Sequence, residues 1–226
     1  MRLLRGRTSD YERDYERTRE MVAGVADDAT PALRVWTPHR QVAFGRRDRR
    51  AGGYDRAREA AESRGYPVLE RAVGGRAVAY TGTTVAFALA EPVDGGRGDI
   101  GGRYDRVSAA VQRALGDVGV DAVEGEPPDS FCPGTHSLQA DGKIAGLAQR
   151  VRQNVALTAG IVVVCDHDAV AAVLDPVYEA LAVPFDPDAV GSVSRAGGRG
   201  DPDTVVEALE RALVGDRSVT ARETIG

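Results

Sequence analysis

The chain has 226 residues, of which 42% are hydrophobic and 28% charged, and its formal net charge is -5. This length permits one sizeable core, so a single domain over 1–226 is expected, while the negative charge argues against a nucleic-acid-binding protein. No run approaches the roughly 20 apolar residues that span a bilayer, and the N-terminal residues lack a signal-peptide segment, so a cytoplasmic protein without a membrane anchor is expected.

The first third of the chain alternates helical and extended patterns. Ser9-Asp10-Tyr11-Glu12 reads as a capping box and predicts a helix over about 10–25. Short apolar segments at 34–36 and 41–45 predict two strands. The Ala/Arg/Glu-rich stretch 54–64, followed by Gly65, predicts a second helix with a glycine stop.

The middle of the chain contains short apolar runs at 68–73, 76–80 and 83–89. Gly74-Gly75 and Gly82 separate them, so they are predicted to be consecutive strands joined by tight turns. Apolar residues at helical spacing predict a helix over about 104–115. A loop rich in Gly, Glu, Pro and Asp follows at about 124–134.

The last third predicts strands at 137–139, 143–150 and 155–165, then a helix at 169–181. Asp201-Pro202 predicts the start of a final helix, with an apolar stripe at Val205, Val206, Leu209, Ala212 and Leu213. Helices and strand clusters alternate without regular βαβ units. The predicted fold class is therefore α+β, with a mixed or antiparallel sheet packed against helices.

Lys143 is the only lysine among the 29 lysine and arginine residues of the chain. A position that stays lysine in so arginine-rich a protein can require a compact ammonium on a flexible stem. Its neighbours Ile144, Ala145, Gly146 and Ala148 are small or apolar, which suits close approach by an acyl chain. The ammonium is then a candidate for binding a carboxylate or a developing charge on an acyl oxygen.

The two cysteines occupy different contexts. Cys165 closes an apolar strand and reads as a small core residue. Cys132 lies in a Pro/Gly loop eleven residues before Lys143, where a nearby cation would favour the thiolate that can accept an acyl group. Neither cysteine has zinc-site spacing, so no metal is expected.

The glycine pair Gly74-Gly75 has two interpretations. A paired glycine between strands is most often a hairpin turn. It also lets backbone N–H groups approach an anionic ligand, with Arg71 or Arg76 alongside to neutralise the charge.

Together these segments resemble the family of lipoate-protein ligases and octanoyltransferases, which share the biotin/lipoate protein ligase catalytic domain. The family's first motif, an arginine before a glycine-rich strand turn, is matched by Arg71, Gly74, Gly75, Ala77 and Val78. Its second, a lysine followed by two residues and a glycine, is matched by Lys143-Ile144-Ala145-Gly146 with Ala148 and Gln149. The resemblance covers roughly residues 10–195.

The run Cys132-Pro133-Gly134 looks most like the amidotransferase branch, in which a cysteine carries octanoate from the glycine-cleavage H protein to lipoyl domains. The resemblance thereby implies Cys132 and Lys143 as catalytic residues. It implies that the acyl group or acyl-adenylate is bound by Arg71, Gly74, Gly75, Arg76, Ala77, Val78, Ala79, Gly146 and Ala148.

Some positions depart from the family pattern. Glu70 and Tyr80 stand where ligases carry a second arginine and a histidine. His136 and Ser137 stand where the cysteine branch often has an aromatic residue and an aspartate, and one residue is missing before Lys143.

The expected function is transfer of an octanoyl or lipoyl group to the acceptor lysine of lipoyl domains, in 2-oxoacid dehydrogenase E2 or the glycine-cleavage H protein, through a Cys132 thioester. That reaction needs no cofactor. One alternative is an ATP-dependent lipoate ligase that uses ATP and Mg and passes through a lipoyl-adenylate, with an accessory ligase domain as partner. A second alternative is a non-catalytic protein that binds lipoyl domains or acyl groups.

Overall fold

A computed structural model of the chain describes residues 1–71, 75–93, 99–152 and 154–226. The first half contains β1 (Arg2–Gly6), α1 (Tyr11–Asp28), β2 (Ala32–Trp36), β3 (Gln41–Phe44), α2 (Tyr54–Glu62), β4 (Val68–Glu70), β5 (Val78–Tyr80) and β6 (Val85–Pro92). The second half contains α3 (Ile100–Asp117), β7 (Val123–Glu124), β8 (Ser137–Gln139), β9 (Lys143–Arg152), β10 (Val155–Val162), α4 (His167–Ala180), α5 (Pro202–Val214) and β11 (Ala221–Ile225).

Two sheets organise these strands. The larger has the order β11-β1-β2-β6-β10-β9-β8-β7, and the smaller has the order β4-β3-β5. The pairs β1–β11, β1–β2 and β3–β4 are parallel and the other pairs are antiparallel. The predicted α+β class with a mixed sheet is confirmed.

Helices cover both sheets. One face of the larger sheet packs against α3 and α5 around the main apolar cluster, while α1 lies over the other face. The smaller sheet packs against α2 and α4 around a second apolar cluster. This leaves a space between α1, the small sheet and the strands β6, β10 and β9. No helix in the described residues combines the length and apolar character needed to span a bilayer.

The predicted helices are confirmed, with local corrections. Asp10, and not Ser9, caps α1, because the Asp10 carboxylate accepts hydrogen bonds from the N–H groups of residues 12 and 13. The Asp201 side chain caps α5 and Pro202 is its first residue, as predicted. The region 124–134 is a loop apart from the two-residue strand β7 at its start.

The predicted hairpins of the middle region are wrong. β4 and β5 do not pair with each other, because β3 lies between them in the small sheet. The next strand, β6, belongs to the larger sheet. Residues 81–84 therefore connect the smaller sheet to the larger one.

Candidate functional site

A cavity of about 690 Å³ lies between α1 and the two sheets. This volume is typical of small-molecule sites. Strand register places rows of mostly small residues along its floor. One row crosses three strands as Ala88, Ala159 and Ala148, and the next contains Ala86, Ile161 and Gly146. Short side chains on this face leave room that larger ones would fill.

The opposite wall of the cavity combines apolar residues with polar and charged residues of α1, among them Glu16, Arg19 and Glu20. Its apolar part includes Ala43, Leu69 and Val78 from the small sheet, and Val22 and Ala23 from α1. Burial of an alkyl chain against such surfaces is worth about 25 cal/mol per Å² of apolar area removed from water. The cavity can therefore hold a hydrocarbon chain.

Cys132 lies at this cavity, in the loop between β7 and β8. Its φ of 44° is in the left-handed region, which non-glycine residues seldom adopt without support. The support comes from Tyr178 of α4, whose hydroxyl accepts a 2.5 Å hydrogen bond from Cys132 N and donates one of 2.9 Å to Ala77 O. A buried hydroxyl thus ties the cysteine loop to the segment before β5.

Positive charge surrounds the Cys132 sulfur. Arg71 Nη2 lies 3.2 Å from Sγ and also donates to the carbonyl of Arg76. Burial would by itself raise the pKa of the Cys132 thiol, but the Arg71 charge, the backbone N–H groups of residues 75 and 76, and Lys143 lower it below its usual value. This environment favours the thiolate, which is the nucleophilic form of cysteine.

A buried carboxylate holds the backbone that faces the sulfur. Asp48 is fully buried, accepts from Gly45 N at 3.0 Å, and pairs with Arg76 Nη1 at 3.2 Å. Burial is the main cause of a raised pKa at Asp48. Gly45 must be glycine, because a Cβ there would lie 2.4 Å from Gly75 O. These contacts fix the loop whose N–H groups approach Cys132.

Lys143 begins β9 and is only 1% exposed. Its ammonium donates to both carboxylate oxygens of Glu126, at 2.9 and 3.0 Å, and to the carbonyls of Phe131 and Cys132, at 2.9 and 3.0 Å. Burial is the largest influence on its pKa, which is lowered despite the opposing charge of Glu126. An ammonium has three protons, so these acceptors already occupy all of them.

Sequence reasoning missed Glu126 and Tyr178. The ion pair between Glu126 and Lys143 is partly buried, since the two side chains are 25% and 1% exposed. A buried ammonium requires a carboxylate or several carbonyls, but the sequence alone does not show that Lys143 is buried. Glu126 lies in a polar loop two residues after the exposed Glu124, and nothing in the local sequence distinguishes the two.

The remaining predicted site residues occupy different places. Val78, Gly146 and Ala148 line the cavity, as do Arg71, Cys132 and Lys143. Ala77 and Ala79 are buried in the second apolar cluster. Gly74 lies outside the described residues.

Three buried polar atoms of cavity-lining residues have no hydrogen-bond partner within the described part of the chain: Arg71 Nε, Trp36 Nε1 and Gln41 Oε1. The first two are donors, for which a ligand carbonyl is a suitable acceptor, and the third is an acceptor. Across the same described ranges, no three His, Cys, Asp or Glu side chains form a group that could hold a metal ion.

The family model for the lipoyl protein ligase A/B catalytic domain matches residues 10–214. The chain is 32% identical over 155 residues to an octanoyl-GcvH:protein N-octanoyltransferase of Exiguobacterium sibiricum, covering 67% of this chain and 56% of the relative. It is 31% identical over 131 residues to the protein of that name from Lysinibacillus sphaericus, covering 56% and 46%. The chain spans about half the length of the curated relatives it matches.

Solved structures share the fold. Lipoate-protein ligase A bound with ATP superposes with a TM-score of 0.77 at 24% identity, covering 100% of this chain and 89% of that one. A bi-partite lipoate protein ligase of Thermoplasma acidophilum, studied with its E2 lipoyl domain, gives 0.69 at 22% identity, covering 100% and 87%.

Proposed function

Because the chain belongs to the lipoyl protein ligase A/B catalytic domain family, we propose that it transfers an octanoyl or lipoyl group to the acceptor lysine of a lipoyl domain through a thioester on Cys132. The observation that carries this proposal is the contact between Arg71 and the Cys132 sulfur at an apolar cavity. The contact stabilises a thiolate beside space for an acyl chain.

In the first step, the Cys132 thiolate attacks the acyl carbonyl carbon of an acylated lysine on the donor protein. The S–C bond forms, the C–N bond breaks, and the donor lysine leaves as an amine that takes a proton from solvent. The negative charge that develops on the carbonyl oxygen requires nearby hydrogen-bond donors. Arg71 Nε, which has no hydrogen-bond partner among the described residues, is the donor that we assign to it.

In the second step, the neutral amine of the acceptor lysine attacks the thioester carbon. The C–N bond forms, the C–S bond breaks, and the thiolate returns to its place beside Arg71 while the amine proton passes to solvent. One amide replaces another, so the overall exchange needs no ATP. Kinetics of the ping-pong type follow from the covalent intermediate.

The remaining residues position these atoms. The N–H groups of residues 75 and 76 stabilise the thiolate, and Gly146 and Ala148 line the chain-binding surface. Lys143 binds the carbonyl of Cys132 at 3.0 Å. Its ammonium therefore orients the cysteine peptide, and it contacts an acyl carbonyl only by giving up one of its present acceptors.

The names of the relatives indicate the protein partners. Those relatives are octanoyltransferases that use GcvH, the glycine-cleavage H protein. We accordingly assign the octanoylated H protein as donor, and apo lipoyl domains of 2-oxoacid dehydrogenase E2 as acceptors. An accessory ligase domain is not required by this route.

The ATP-dependent ligase alternative assigns Arg71 to an acyl-adenylate and leaves Cys132 without a role. The 3.2 Å contact between Arg71 and the sulfur supports the thioester route instead. A non-catalytic acyl-binding protein would have no need for a thiol with a lowered pKa.

A transfer assay tests the proposal. An apo lipoyl domain is incubated with either octanoylated H protein, or lipoate and ATP, and the products are weighed by intact-protein mass spectrometry. Transfer from the H protein without ATP, lost in Cys132→Ala and retained in the matched control Cys165→Ala, supports the proposal. Acylation that needs ATP and survives Cys132→Ala refutes it in favour of a ligase. Absence of acylation under either condition, with binding of the lipoyl domain or the acyl group retained, favours the non-catalytic protein.

A further inference from the structure

The Glu126 carboxylate binds four groups around the cysteine loop. It accepts from Lys143 Nζ at 2.9 and 3.0 Å, from Gly134 N at 3.1 Å, and from the hydroxyls of Ser130 and Ser137. Charged acceptors make stronger hydrogen bonds than neutral ones. One side chain therefore restrains residues 130, 134, 137 and 143 at the same time.

The bound groups lie on both sides of Cys132. Ser130 precedes it by two residues and Gly134 follows it by two. Lys143, held by the carboxylate, also donates to the carbonyls of Phe131 and Cys132. Cys132 keeps its left-handed backbone conformation only if the surrounding contacts hold it there. The contacts of Glu126 and Lys143 restrain the chain both before and after Cys132.

We propose that Glu126 is a positioning residue for acyl transfer, which holds the Cys132 loop so that the sulfur meets Arg71 and the N–H groups of residues 75 and 76. The inference deepens the proposed function and rests on it. Glu126 touches no reacting atom. It acts through the backbone of the loop and through Lys143.

Charge and position predict opposite effects on the thiol. Removing the negative charge while Lys143 stays protonated would stabilise the thiolate and lower the pKa of Cys132. Loss of the Lys143 proton as well would remove a charge that lowers this pKa. Letting the loop relax would carry the sulfur away from Arg71, and the pKa of Cys132 would rise. A rise in Glu126→Asp, which keeps the carboxylate charge, therefore separates a positioning role from an electrostatic one.

The experiment measures the pH dependence of Cys132 alkylation by iodoacetamide in a Cys165→Ala parent, followed by intact-protein mass spectrometry. Glu126→Gln removes the charge at nearly constant size, and Glu126→Asp keeps the charge but shortens the reach. Glu124→Gln is the matched control, because Glu124 lies exposed in β7 two residues away. Thermal unfolding of every variant establishes that it is folded.

We expect the alkylation midpoint to move to higher pH in Glu126→Gln and, by a smaller amount, in Glu126→Asp, with no change in Glu124→Gln. A midpoint that stays or falls in folded Glu126→Gln overturns the inference. If Glu126→Gln does not fold, Glu126→Asp provides the test. An unchanged alkylation midpoint in Glu126→Asp would then overturn the inference.

Acyl transfer provides the second measurement. A sulfur displaced by about 1 Å costs about 100-fold in rate, so kcat in Glu126→Gln should fall by that order while KM for the acceptor stays within about twofold. Alkylation requires neither donor nor acceptor. Failure of the parent to transfer acyl groups would therefore refute the proposed function, whereas an unshifted alkylation midpoint would refute the role of Glu126 alone.

Discussion

Replacing Lys143 by arginine should destabilise the protein, although arginine occupies every other basic position. The Lys143 side chain is 1% exposed, and a Cβ added at Gly146 would lie 3.3 Å from its Cε. A longer, planar guanidinium therefore cannot take the place of the ammonium between Glu126 and the carbonyls of Phe131 and Cys132 without displacing them. Overpacking of a core costs about 1 to 3 kcal/mol, and disturbing the pair with the partly exposed Glu126 adds about 1 kcal/mol.

The sum is a loss of about 2 to 4 kcal/mol in the free energy of unfolding. For a domain of this size each kcal/mol lowers Tm by about 2 to 4 °C, so we expect Tm to fall by about 4 to 16 °C. Thermal unfolding followed by circular dichroism measures the change. Arg58→Lys, at an exposed ion pair on α2, is the reverse exchange and should change stability by less than about 0.5 kcal/mol. A Lys143→Arg protein that melts within about 1 °C of the parent would contradict the tight fit inferred for this ammonium.

Three further predictions concern the same region. Tyr178→Phe leaves Cys132 N without its acceptor, so urea unfolding should show a loss of about 1 to 3 kcal/mol, and an unchanged midpoint would mean that the hydroxyl is dispensable. Gly160→Ala places a Cβ 2.4 Å from the Phe87 ring, and we expect a loss of about 1 to 3 kcal/mol in the same assay; an unchanged midpoint would contradict the close packing at this position. The stabilisation by Glu126 should depend on pH: its pKa is lowered on folding, mainly by the Ser130 and Ser137 hydroxyls and by Lys143 against the opposing effect of burial. The difference in unfolding free energy between the parent and Glu126→Gln should therefore be largest above the usual carboxyl pKa of about 4.3, and should shrink as the pH falls through the pKa of Glu126 in the folded protein. A difference that stays constant with pH would refute the charged contact.

The amino-acid pattern predicts the helices and the long strands of this fold because they carry their own periodicity. The helix α5 has both a capping aspartate and a buried stripe at Val205, Leu209 and Leu213. Strands β1 and β11 are different, since each is short and they pair with one another from opposite ends of the chain. No local pattern marks such a pair, and neither strand was predicted.

The candidate site likewise contains residues that the sequence marks and residues that it does not. Lys143 and Cys132 stand out in the sequence because one is the only lysine of the chain and the other lies in a Pro/Gly loop. Their partners are distant in sequence: Arg71 reaches the sulfur across 61 residues, and Tyr178 reaches the Cys132 N–H across 46. Contacts of this kind depend on how layers pack, and here the small sheet and α4 bring them together.

The hairpin interpretation of Gly74-Gly75 was wrong for a related reason. A glycine pair between two apolar runs favours a tight turn locally. The smaller sheet instead inserts β3 between β4 and β5, because β3 can pair with both while its residues Val42, Ala43 and Phe44 are buried in the second apolar cluster. Burial of that strand outweighs the local turn preference.

Trapping the acyl-enzyme is a direct test for the proposed thioester on Cys132. The Cys165→Ala protein is mixed with octanoylated H protein in the absence of acceptor, quenched in acid, digested and analysed by mass spectrometry. We expect one octanoyl group on the peptide containing Cys132. Hydroxylamine should remove it, as expected for a thioester, and an apo lipoyl domain added before the quench should accept it. Transfer to the lipoyl domain by a Cys132→Ala protein at the parent's rate would contradict the proposed thioester.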